Sequence, residues 1–148
     1  FISNSLAAYR TSVLRSVGGF PSNTIMNEDT KKKKKMILAG WKVAYCAEAS
    51  VFHSHDYSFR EDFKRYFDIG VFHAREPWLR EHFGNAEGEG VRFVLSEIRY
   101  LCKEATWLIP SALVRTILKF AGYKLGGMER KLSIGIKRKL SMHYRYWS

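Results

Sequence analysis

From Val91 to Leu125 apolar residues recur every three or four positions with one interruption, and that periodicity commits the second half of the chain to helices. Val91, Val94, Leu95, Ile98, Leu101, Cys102, Ala105 and Leu108 trace one stripe. Pro110 breaks it, having no N–H to donate. Leu113, Val114, Ile117, Leu118, Phe120, Ala121 and Leu125 trace a second stripe that carries Arg115, Lys119 and Lys124 and ends at Gly126-Gly127. Lys103, Glu104, Pro110 and Arg115 keep both below the ~18 to 20 apolar residues that a membrane span needs.

The basic residues concentrate in the same half. Residues 1–98 hold 14 Lys and Arg against 12 Asp and Glu, whereas residues 99–148 hold 11 against 2, so the net charge of +11 belongs mostly to the tail. A basic tail attracts polyanions in general: nucleic acid, anionic lipid headgroups and nucleotide phosphates. With 148 residues, 46% hydrophobic and 15% aromatic, the chain has material for a folded domain and is not low-complexity. Its 2 cysteines, Cys46 and Cys102, have no metal-ligand spacing and read as buried thiols in a reducing cytoplasm. The opening Phe1 to Ser5 lacks an initiator Met and a signal-peptide pattern, which reads as a piece of a longer polypeptide.

In the first half, Leu6 to Val17 predicts a short helix capped by Ser5 and stopped by Gly18-Gly19-Phe20-Pro21. Asn27-Glu28-Asp29-Thr30 opens a second helix, with Asp29 or Thr30 as its cap and Gly40 at its end. Trp41 to Cys46 and Ala49 to His55 predict strands, the second placing Val51, His53 and His55 on one face. Residues 58–75 form an aromatic-rich helical pattern interrupted at Gly70, and Pro77 to Gly90 is a connector.

Three clusters could carry chemistry. Glu28 and Asp29 at a helix start suit a general base and its orienter, and equally a cap set against the helix dipole. His53 and His55 could ligate a divalent metal if a carboxylate joined them, or be ordinary surface histidines. Arg65 beside Tyr66 could grip a phosphate or sugar, or be a solvated helix face over an aromatic core. No glycine-rich phosphate loop, G-x-S-x-G, H-E-x-x-H or Asp-x-Asp occurs.

Five segments in order, FISNSLAAYR, VGGFP, NEDT, LAGWKVAY and VFHSHDYS, resemble the C-terminal half of family 2 glycosyltransferases, particularly the bacterial rhamnosyltransferase branch. The resemblance runs from Phe1 to about Arg75. It implies an α/β class: residues 1–80 as the acceptor and base half of a GT-A, Rossmann-like catalytic domain, and residues 81–148 as a helical, basic, amphipathic extension. It implies an inverting transfer of a sugar, rhamnose in that branch, from a nucleotide-sugar such as dTDP-rhamnose to a surface-polysaccharide or lipid-linked acceptor.

By the same resemblance Asp29 is the base, with Glu28 beside it, and His53, with His55 as alternate, helps to bind Mg or Mn. Gly18, Gly19 and Phe20 shape the acceptor pocket, Asn4 and Ser5 line the donor sugar, and Arg65 and Tyr66 are similar to a pair that lies near the diphosphate and acceptor. It places the protein in the cytoplasm, with peripheral contact of the basic tail to the inner membrane face and no nucleic-acid partner. Two departures stand out. The absent Asp-x-Asp implies that this polypeptide alone does not turn over, and Lys31 to Lys35 replaces a mixed helical turn with five ammonium groups that cannot all be solvated. The rival readings are a non-catalytic, basic module that binds a membrane surface peripherally or binds nucleic acid.

Overall fold

The computed structural model describes residues 6–53, 55–84 and 88–148, without the side chain of Glu89. They form two compact units that divide between Asp56 and Tyr57.

The first unit contains helices α1 (Thr11–Ser16) and α2 (Glu28–Leu38). Both end in the same glycine-based motif. At the end of α1, Gly18 N–H donates to Arg15 O at 3.0 Å and Gly19 N–H to Leu14 O at 2.9 Å. Beyond α2, Gly40 N–H donates to Ile37 O at 2.9 Å and Trp41 N–H to Met36 O at 3.0 Å. These bonds satisfy carbonyls that the helices leave orphaned, and they need a left-handed residue, which Gly18 (φ +86°) and Gly40 (φ +84°) supply without a Cβ clash. Asn27, itself left-handed at φ 56°, holds the N-cap position of α2, so Glu28 and Asp29 occupy the first turn instead of capping it. Val13, Ile25 and Met36 form the small core.

The α/β, GT-A-like class expected from sequence is not what the chain adopts. Of the described residues 66% are helical and none lies in a strand. Trp41–Cys46 and the described part of Ala49–His55 have strand-forming composition, but a strand is defined by a neighbour's N–H and C=O groups and no described segment pairs with them. Residues 41–53 are exposed throughout. Cys46 and Cys102 are likewise exposed thiols, not buried ones.

The second unit is built on α3 (Phe59–Arg75) and α6 (Ile109–Gly127), joined through α4 (Trp78–Phe83), α5 (Glu89–Glu104) and a 3₁₀ turn at Thr106–Leu108. A capping box starts α3: Ser58 N–H donates to Glu61 Oε2 at 2.8 Å and Glu61 N–H to Ser58 Oγ at 3.3 Å. The helix runs straight through Gly70, because that glycine marks a crossing and not a break. A Cβ there would lie 3.0 Å from the Gly127 nitrogen and closer still to the Tyr123 carbonyl oxygen. Gly122 and Gly126 reciprocate from α6 against the backbone of Phe63 and Phe67. Four residues apart, they share one face and let the two backbones touch.

Asp62 of α3 pairs with Arg115 and, at 4.0 Å, with Lys119 of α6. The tail then closes the unit, through a 3₁₀ turn at Glu129–Lys131, helix α7 (Ile134–Leu140) and a last turn at Tyr144–Tyr146. Trp147 is buried against Phe67, at 6.5 Å between ring centroids, under Arg75 and Lys137. Glu129 is buried between the same two cations, bonded to Arg75 Nε at 3.0 Å and Lys137 Nζ at 2.6 Å. Met142 N–H donates to the fully buried Asp68 at 2.9 Å.

Candidate functional site

In the first unit the turn after α1 and the start of α2 bring together Tyr9, Phe20, Asp29 and Lys33. The Gly18-Gly19 turn delivers Phe20 edge-on to Tyr9, with centroids 5.4 Å apart and planes at 84°. Asp29 is half-buried in the first turn of α2, and its Oδ1 accepts from Thr30 N–H at 2.7 Å, which fixes the carboxylate. Burial, then the charges of Asp29 and Glu28, push the Tyr9 phenol above its ordinary pKa. Glu28 is exposed.

The lysine run divides as its physics demands. Lys32 and Lys33 are buried, Lys31 and Lys34 half-buried, and Lys35 exposed. Lys32 Nζ donates to the Val17 carbonyl at the end of α1, 2.9 Å away, where a cation also meets the negative end of a helix dipole. Burial, followed by the charges of Lys35 and Lys31, depresses its pKa. Among the described residues Lys33 Nζ has no hydrogen-bond acceptor, and it stands 5.9 Å from the Tyr9 ring centroid. Burial lowers its pKa while the Asp29 charge one helical turn back opposes the shift.

His53 and His55 are exposed and meet edge-on at 4.4 Å between centroids, and Ser54 between them lies outside the described residues. Among the described residues no group of three His, Cys, Asp or Glu side chains converges, so those residues do not complete a divalent-cation site. Asn4 and Ser5 lie outside the described residues.

Arg65 and Tyr66 belong to the second unit and serve its packing. Arg65 donates to the Tyr57 hydroxyl at 3.1 Å, and Lys119 Nζ stands 5.7 Å from the Tyr66 ring centroid. Burial first, and then the charge of Asp62, raises the Tyr66 pKa.

Tyr9 and Lys33 were not singled out by sequence reasoning as site residues. The usable signal was the four-residue spacing from Asp29 to Lys33, which puts both on one face of a helix.

No family model and no solved structure matches the chain. All 148 residues align at 55% identity with 47% of the O-antigen chain rhamnosyltransferase WbaN of Salmonella anatum. The chain is similar to part of a rhamnosyltransferase. The O-antigen chain rhamnosyltransferase RfbN of Salmonella typhimurium (strain LT2) gives the same 55% identity over the same 148 residues. The chain spans about half the length of the curated relatives it matches. The aligned region contains every residue of the Tyr9, Phe20, Asp29 and Lys33 cluster.

Proposed function

We propose that the chain is part of an inverting rhamnosyltransferase that moves a sugar from a nucleotide-activated donor, dTDP-rhamnose, to a saccharide acceptor in O-antigen-type polysaccharide assembly. The observation that carries this reading is 55% identity sustained over all 148 residues to two O-antigen chain rhamnosyltransferases.

Asp29 is the base in this proposal. It takes the proton of the acceptor hydroxyl as that oxygen attacks the anomeric carbon and the nucleoside diphosphate leaves from the opposite face. Its placement supports the role: a half-exposed carboxylate held by Thr30, beside an aromatic pair suited to the apolar face of a sugar. A divalent cation would offset charge on the departing diphosphate. The described residues assemble no complete site for one.

The test uses a chimera in which this chain replaces the matching segment of the Salmonella anatum enzyme. The chimera should transfer sugar from the nucleotide donor, and Asp29→Asn should lower kcat by ~10²- to 10⁴-fold with donor affinity unchanged. A folded chimera without transfer would overturn the reading. Normal turnover by Asp29→Asn would overturn the assigned base alone.

A further inference from the structure

Between α3 and the closing tail of the second unit lies a cavity of about 490 Å³, lined by Arg75, Glu129, Arg130 and Lys137. Its size is that of a small-molecule site, ~300–1,000 Å³, but its wall is mainly polar and carries three cations against one carboxylate. Glu129 therefore leaves two positive charges in excess.

The cations are held before any ligand arrives. Glu129, buried, accepts from Arg75 Nε at 3.0 Å through Oε1 and from Lys137 Nζ at 2.6 Å through Oε2. Arg75 also donates from its NH1 nitrogen to the Tyr146 hydroxyl at 2.8 Å, and its guanidinium carbon stands 5.1 Å from the Trp147 ring centroid. Lys137 lies over the same ring, 5.0 Å from its centroid. A guanidinium has five N–H groups and an ammonium three, so these bonds leave donors on both side chains. Arg130, exposed, adds a third set from the 3₁₀ turn. A buried ion pair gains little over apolar packing of the same volume. What this one supplies is cations already fixed around an open space.

We propose that this cavity binds the dianion of a soluble phosphate monoester, with the phosphoryl oxygens on Arg75, Arg130 and Lys137. Charge selects the class. A phosphate monoester carries about −1.5 to −2 at pH 7, which meets the excess of the wall, whereas a phosphodiester or a carboxylate brings a single charge. Geometry agrees, because planar guanidinium donors match phosphoryl oxygens in pairs. Prior fixation by Glu129, Tyr146 and Trp147 lowers the entropy lost on binding.

The site is independent of the transfer reaction and is read without it. Methyl phosphate, dimethyl phosphate and acetate are titrated into the chain at constant ionic strength and followed by calorimetry. Methyl phosphate should bind saturably, and the two monoanions about 10-fold more weakly or less. Arg130→Gln should weaken methyl phosphate about 10-fold, the loss of one charge-assisted hydrogen bond, with the thermal unfolding midpoint unchanged. Arg130→Lys should recover part of the loss. Lys131→Gln removes a charge from the same turn but not from the cavity wall, and should bind as the parent chain does. Four results would overturn the proposal: no saturable binding of methyl phosphate, equal weakening by the two Gln variants, equal affinity for dimethyl phosphate, or capture by phosphatidylglycerol vesicles that Arg130→Gln abolishes. The second would reduce the effect to diffuse charge attraction, and the last would make the occupant a lipid headgroup.

Discussion

Replacing Gly126 by Ala should destabilise the chain even though alanine is the better helix former. In an open helical position the exchange gains up to ~1 kcal/mol. At Gly126 the new methyl would sit 2.9 Å from the Phe67 carbonyl carbon and 3.0 Å from the Val71 nitrogen, with the Phe67 carbonyl oxygen nearer still. Ordinary van der Waals contact begins near 3.4 Å, so several tenths of an ångström must be found. All three atoms are backbone of α3, and no rotamer change can release them. Overpacking of this kind costs ~1–3 kcal/mol, and a backbone collision belongs at the upper end. The net is a loss of about 2 kcal/mol after the helix-propensity gain.

Gly127, the next residue, is an internal control, because a Cβ there meets nothing within 4 Å. Gly127→Ala should be neutral or stabilise by ~0.5 kcal/mol. Thermal unfolding followed by far-UV circular dichroism should therefore separate the two variants by about 10 °C or more, at ~4–8 °C per kcal/mol for a unit of this size. Equal midpoints, or a stabilised Gly126→Ala, would refute the close-crossing argument.

Further outcomes follow from the buried charges. Burial alone would raise the Glu129 pKa, but the hydrogen bonds and charges of Arg75 and Lys137 outweigh it and lower the value. Its stability contribution is therefore present above the unfolded glutamate value of ~4.3 and lost as pH falls through the folded value. Glu129→Gln should cost about 2 kcal/mol at pH 7 in urea titration, less than the ~3–5 kcal/mol of a fully enclosed pair because Arg75 is 37% exposed. Asp68 has the opposite sign: burial raises its pKa against the hydrogen bonds of Ser141 and Met142. The folded state then loses stability as pH rises from ~3.9 to the folded value. Asp68→Asn keeps an acceptor for Met142 N–H, so its stability relative to the parent chain should climb across that window and then level off in urea titrations taken at successive pH values. Arg115→Met should leave the buried Asp62 with the distant Lys119 as its one cation among the described residues and lower stability by ~2 kcal/mol, and Asp62→Asn in the same background should recover part of the loss.

The helices were legible where periodicity is local. The stripes of Val91–Leu108 and Leu113–Leu125 became α5, its following turn and α6, and the pattern of 58–75 became α3 behind its capping box. Gly126-Gly127 does close α6, but Gly70 does not interrupt α3, because sequence spacing does not reveal which backbone lies opposite a glycine. The expected strands failed for the complementary reason: β-propensity describes fit to a neighbour, and no described segment supplies one.

At the site, the ordered motifs located the turn at Gly18–Phe20 and the start of α2. They did not show that Lys33 would be tucked beneath Tyr9, since tertiary burial of a lysine has no local signature. Of the five adjacent lysines, Lys32 and Lys33 are buried and Lys35 is exposed.

The α3–α6 crossing also sets a tempo. Asp62 and Arg115 are 53 residues apart, so the glycine faces meet only after a loop of that length closes, at an entropic cost of ~3.5 kcal/mol plus a constant. Individual helices form in about a microsecond or less, so α3 and α6 should appear and melt many times before their backbones lock. Doubling the connection would add only ~0.6 kcal/mol to that cost. The stretch between these two helices is thus where the polypeptide can lengthen at little expense, while a single methyl group at the crossing costs about 2 kcal/mol.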